Sequence, residues 1–206
     1  AACDAGADAL GFVFAESLRQ VSHLDVKRIV RELPPLVTAV GVFVDETVET
    51  VRSMVQECSL DLVQLHGRET REYADTLGVR YLKSFRVRDA SFVNEIETFG
   101  CRTFLLDTYS SRATGGTGTT FDWKLAVEAG KYGRVILAGG LTPENVAEAL
   151  AIVHPYAVDV SSGVEAATGR KDHEKIRRFI HEVRTWDYRT NEDTSVPLAD
   201  DLFLKR

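Results

Sequence analysis

Seven short apolar runs recur along this chain, and most are separated by stretches of helical periodicity. They occupy residues 9–14, 38–44, 60–66, 79–85, 103–108, 134–139 and 157–161. Each is rich in Val, Leu and Phe, which suits strands covered on both faces of a parallel sheet. The intervening segments read as helices. Residues 25–32 put Val26, Ile29 and Val30 on one face. Residues 47–55 open on Thr47 as an N-cap, with Glu46 and Glu49 near the positive end. In 142–150, Thr142 is the expected N-cap, Pro143 the first helical residue and Glu144 part of the first turn. Residues 173–183 carry Ile176, Phe179, Ile180 and Val183 at helical spacing.

Strands alternating with helices mean a parallel α/β protein. Two architectures compete: an open doubly wound sheet and a closed (β/α)₈ barrel. No G-x-G-x-x-G follows the first run, which removes the main support for a dinucleotide-binding sheet. Polar and glycine-rich residues fall just after the runs, where a barrel builds its active site. The barrel is therefore the expected fold. It spans residues 1–186, with 187–206 as a polar C-terminal tail whose Leu198, Leu202, Phe203 and Leu204 suit an apolar patch.

The 206 residues suit one domain, and the net charge of −6 argues against nucleic acid as a partner. It does not argue against a small anionic substrate, which a few amides and one arginine can hold. Cys3, Cys58 and Cys101 are widely spaced and form no metal-binding pattern. Free thiols in a reducing cytoplasm are the simplest reading. No apolar run is long enough to span a bilayer, and no basic-then-apolar signal segment opens the sequence.

The chemistry-bearing residues cluster after the later runs. Gly139 and Gly140 lead into the segment that begins at Thr142, and Ser162 and Gly163 follow the last run. Glycines let backbone amides approach a ligand, and two such loops at one end of a barrel suit a phosphate; either alone is an ordinary turn. Asp107 ends an apolar run, where desolvation would raise its pKa and suit it to general-acid work; a loop ion pair or helix cap is the structural alternative. Asp159 lies between Val158 and Val160 and needs a partner, so it either organises a site or pairs with a base. His66 ends its run, a position more often structural than catalytic. The fork of Arg19 suits a substrate carboxylate. Residues 113–118, Ala-Thr-Gly-Gly-Thr-Gly, could close over the site or be a plain mobile loop.

Taken in order, GADALGFVF, S-x-R-x-V-S, ELPP, VGVFV, VQLHG, LLDT, GGTGxTFDW, GGLTPENV, AVDVSSGVE and GxKD make the chain resemble the phosphoribosylanthranilate isomerases. The resemblance covers about residues 5–183. It implies a (β/α)₈ barrel and an Amadori rearrangement of N-(5′-phosphoribosyl)anthranilate to the aminoketose, a step of tryptophan biosynthesis needing no cofactor or metal. It implies Asp107 as general acid and Arg19 as the grip on the anthranilate carboxylate. Gly139, Gly140, Ser162 and Gly163 would hold the phosphate, with His66 and Asp159 in support. The implied partner is that small substrate alone, on a monomer or homodimer, with no nucleic acid or membrane.

One departure stands out. The resembled family opens on a strand of the form K-I-C-G, whose cysteine is the general base. No such strand precedes residue 9, so the expectation is a barrel lacking its first strand in this chain. Cys3, Cys58 and Cys101 all precede runs and are expected away from the active face. A truncated barrel that only binds phosphosugar is one alternative. A related phosphate barrel of histidine or tryptophan synthesis is another, disfavoured by S-x-R and LLDT.

Overall fold

The computed structural model describes residues 1–108 and 121–193, the last three by their backbone alone. All seven apolar runs form strands: β1 (Ala9–Val13), β2 (Thr38–Phe43), β3 (Leu62–Leu65), β4 (Tyr81–Val87), β5 (Thr103–Thr108), β6 (Arg134–Leu137) and β7 (Ala157–Val158). They pair in chain order as one parallel sheet, which is curled. The helices are α1 (Ala2–Ala5), α2 (His23–Arg31), α3 (Val48–Cys58), α4 (Arg71–Thr76), α5 (Phe92–Phe99), α6 (Trp123–Ala129), α7 (Val146–Val153) and α8 (His173–Asp193). A hairpin, β8 (Glu165–Ala167) with β9 (Arg170–Lys171), precedes α8. No helix among the described residues is long and apolar enough to cross a membrane.

Local chemistry explains most boundaries. Ser22, Thr47 and Thr70 each accept a backbone N–H and start α2, α3 and α4. The segment after β6 departs from expectation, because α7 begins at Val146 rather than after Thr142. Asn145 is the cause. Its Oδ1 accepts from Thr142 N (2.8 Å) and its Nδ2 donates to the Gly140 carbonyl (3.0 Å), folding residues 140–145 into a turn. Helix α8 continues through Asp193, so residues 187–193 of the expected tail are helical. Residues 194–206, and the glycine-rich stretch 113–118, lie outside the described residues.

Alternation along the strands divides the core in two. Val63, Leu65, Phe85, Phe104, Leu106 and Leu137 face the helices in the main core. On the other face Leu82, Leu105 and Ala138 form a smaller cluster with Leu62 and Ile136. Burying each such side chain contributes about 1.5–3 kcal/mol. Asp107 and Asp159 sit on this inner face, two residues beyond Leu105 and Ala157, at the C-terminal end of their strands.

Among the described residues neither β1 nor β7 has a second strand partner. The two edges are nevertheless bridged at both ends. Arg184 of α8 donates to the Gly6 carbonyl (2.9 Å) and to Asp8 (2.9 and 3.0 Å), just before β1. At the opposite end Arg19, beyond β1, meets Glu165, beyond β7.

Candidate active site

The inward positions at the ends of β3 and β5 meet directly. His66 Nε2 lies 3.2 Å from Asp107 Oδ2. His66 Nδ1 lies 3.0 Å from the amide nitrogen of Gln64, a buried residue two positions earlier on the same face. An amide N–H donating to Nδ1 leaves the proton on Nε2, from which the imidazole donates to Asp107. Asp107 is half-buried, with 30% of its side chain accessible.

Asp159 follows β7, and its N–H donates to the Leu137 carbonyl (2.8 Å). Burial among surrounding protein atoms, and then the charge of Asp107, push its carboxyl above the usual range; His66 and Lys171 pull the other way. Its surface is still open to water. This openness keeps the effect of burial smaller than for a sealed carboxyl, while the directional push from Asp107 remains.

The glycine loops are pressed against Asp107 and against each other. Gly139 and Gly140 have φ of +79° and +71°, where side chains are disfavoured. A Cβ on Gly139 would collide with the backbone nitrogen and hydroxyl of Thr108 and stand 2.7 Å from Asp107 Oδ1. A Cβ on Gly163 would collide with the carbonyl of Leu141. Ser162 and Gly163 open a single 3₁₀ turn, Ser162–Val164. The end of β5 and the loops after β6 and β7 therefore form one continuous wall.

Arg19 approaches from beyond β1 and meets the residue that follows the Ser162–Val164 turn. Its Nε and Nη2 each bind one carboxylate oxygen of Glu165 at 2.7 Å. The Arg19 partner holds the Glu165 carboxyl below the usual range, and Glu165 raises the guanidinium in return. Lys171 also approaches Glu165 (3.3 Å) and donates to the Ser161 carbonyl (2.7 Å). Glu165, Lys171 and Gln64 were not singled out as functional residues by the sequence. A glutamate directly after a Ser-Gly turn, followed by Lys171 at hairpin spacing, was the available signal.

None of the cysteines lies at the C-terminal end of a strand, where Asp107 sits. Cys3 lies in α1 and Cys101 immediately before β5. Cys58 ends α3, with its Sγ 3.5 Å from the His23 carbonyl in the layer between α2 and α3.

A curled parallel β/α sheet with its carboxylates and glycine loops at the strand ends defines a TIM-barrel-like α/β protein. The family model described as N-(5′-phosphoribosyl)anthranilate (PRA) isomerase matches residues 1–182. The chain belongs to that family. An N-(5′-phosphoribosyl)anthranilate isomerase of Geobacter sp. (strain M21) is 52% identical over 184 residues, covering 89% of this chain and 90% of that protein. The crystal structure of mutually generated monomers of the dimeric Thermotoga maritima isomerase aligns with a TM-score of 0.81 at 38% identity, covering 89% of this chain and 91% of that one. The isomerase in complex with reduced 1-(o-carboxyphenylamino)-1-deoxyribulose 5-phosphate aligns at 0.78 and 38%, with the same coverage.

Proposed function

We propose that this protein catalyses the Amadori rearrangement of N-(5′-phosphoribosyl)anthranilate to 1-(2-carboxyphenylamino)-1-deoxyribulose 5-phosphate. Membership of the family supports the reading. The convergence of Asp107, His66 and the two glycine loops at the strand ends carries it. Asp107 protonates the furanose ring oxygen, and the C1–O bond breaks as the aniline nitrogen forms an iminium. A base then takes the C2 proton, and the resulting enolamine tautomerises to the ketone. His66 orients the Asp107 carboxyl, the Gly139–Gly140 and Ser162–Gly163 loops receive the phosphate, and Arg19 receives the anthranilate carboxylate.

In this reading the sheet is seven strands of an eight-strand barrel, with the eighth position between β7 and β1. Two open edges bridged at both ends support it. That position carries the cysteine base in the resembled family, and the placement of Cys3, Cys58 and Cys101 away from the C-terminal strand ends agrees. The second reading is a phosphosugar-binding barrel without turnover.

Turnover followed by loss of anthranilate fluorescence tests both readings. The chain is assayed alone and with a Lys-Ile-Cys-Gly strand added ahead of α1. The isomerase reading expects activity with the strand, abolished by Asp107→Asn while ligand binding persists. Activity of the chain alone would move the base to a residue already present, Asp159 first. Binding without turnover in either form favours the second reading.

A further inference from the structure

We propose that Glu165 is a positioning residue for Arg19. It holds one edge of the guanidinium so that the other edge is presented to the substrate's aryl carboxylate, and with Lys171 it sets the site's preference for a carboxylated aryl amine. This rests on the reading of Arg19 as the carboxylate grip.

The geometry leaves room for a second anion. A guanidinium carries five N–H donors in a rigid plane. Glu165 takes the Nε side, through Nε–Oε1 and Nη2–Oε2, both 2.7 Å. Among the described residues the remaining protons take no partner, and one Nη1 and one Nη2 proton form a fork on the far edge that matches a carboxylate. Arg19 sits on the long connection from β1 to α2, where a free arginine would have to freeze its rotamers at every binding event. Glu165 does that freezing in advance.

Glu165 is itself firmly held. Only 6% of its side chain is accessible. It pairs with Lys171 across the hairpin register, and its backbone carbonyl accepts from Lys175 Nζ at 3.0 Å. The Gly169 tip of the hairpin rests near the Leu18 carbonyl, so the hairpin and the Arg19 loop form one unit.

The charge balance points the same way. An Arg19–Glu165 pair alone is neutral, and an incoming carboxylate would also face the Glu165 charge. Lys171, 3.3 Å from Glu165 Oε1, supplies the offset. Two cations against one anion leave a net positive charge for the ligand. Arg19 pulls the Glu165 carboxyl down and is raised by it, so the pair stays ionised around neutral pH.

A purely structural latch is the competing role, because the same pair joins the segments beyond β1 and β7. The two roles separate in binding measurements. Calorimetry would use reduced 1-(o-carboxyphenylamino)-1-deoxyribulose 5-phosphate and its phenylamino counterpart lacking the carboxylate. The wild-type protein should prefer the former. Glu165→Gln should cut that preference about tenfold, close to the loss of one charged hydrogen bond, with little change for the phenylamino ligand. Glu165→Asp, which keeps the charge but shortens the reach, should act in the same direction and decides the matter if Glu165→Gln does not fold. Arg184→Ala, which breaks the other bridge, should lower the melting temperature and leave the preference intact. Equal loss for both ligands in the Glu165 variants overturns the proposal in favour of a latch. An unchanged preference in Glu165→Gln and Glu165→Asp, with preference lost in Arg19→Ala, overturns it while sparing the Arg19 reading. An unchanged preference in Arg19→Ala overturns both.

Discussion

Gly139→Ala puts the link between loop packing and chemistry under direct strain, and Gly78→Ala is its internal control. Both glycines have left-handed backbones, φ +79° and +68°. Placing alanine there costs about 1–2 kcal/mol at either site. At Gly78 a Cβ meets nothing within 4 Å, so that cost is the whole effect. At Gly139 the Cβ collides with Thr108 and stands 2.7 Å from Asp107 Oδ1. Non-bonded heavy atoms settle at about 3.5 Å, so the carboxylate must retreat by roughly 0.8 Å. Overpacking adds about 1–3 kcal/mol to the backbone cost. A shift approaching 1 Å in a reacting group can slow turnover by about 100-fold. In a catalytically complete form, Gly139→Ala should lower kcat by about 10- to 100-fold. Gly78→Ala should lose stability alone, its melting temperature falling by about 2–8 °C. Calorimetric melting and the anthranilate fluorescence assay read the two effects separately. Equal kcat in the two variants would refute the claim that Gly139 is a glycine because Asp107 needs the space.

Further outcomes follow from the buried charges. Lys83 and Glu69 form an ion pair with 5% and 2% of their side chains accessible. Lys83→Met should destabilise by about 3–5 kcal/mol because it strands a buried carboxylate. Adding Glu69→Gln should recover part of that in urea melts, and a double variant as unstable as the single one would contradict the account. Asp159 has its carboxyl raised above the ordinary 3.8. Its ionisation therefore opposes folding as pH rises above that value, and the penalty is absent below it. Asp159→Asn should be more stable than the wild type near pH 7, the gain fading toward pH 3; no gain near pH 7 would count against the raised carboxyl.

The strands were legible because most of the buried runs are bounded by glycine or polar residues, a signal that survives without tertiary information. Thr47 was legible as a cap for the same local reason, and the structure starts α3 there. The start of α7 was not legible. Thr142-Pro143-Glu144 is a good helix opening by local rules, yet the Asn145 amide ties back to residues 140 and 142 and delays the helix to Val146. Asp107 and the glycines could be singled out by position alone, since both follow apolar runs directly. Lys83 could not, because nothing near it in sequence explains a lysine inside an apolar strand. Its partners at Gly67 and Glu69 come from the neighbouring β3–α4 loop, where they hold the turn that follows His66.

Arg19 illustrates the deeper limit. Its partner Glu165 is 146 residues away, so no window of sequence contains the interaction. The fold brings them together because β1 and β7 are the two ends of one curled sheet, and the loops beyond them face each other across the opening. Under the proposed function, a substrate carboxylate arriving there would meet a guanidinium already held in plane. The acid, by contrast, is held from behind by Gly139 and from the side by His66. The proposed grip and acid are thus fixed by separate devices, an ion pair across the opening and close packing along the wall. Damage to one should alter which ligand is preferred, and damage to the other how fast it reacts. That separation is what the Glu165 and Gly139 variants measure when made in the same protein. In the double variant selectivity should change as in the Glu165 variant and kcat as in the Gly139 variant, because the two devices share no partner residue.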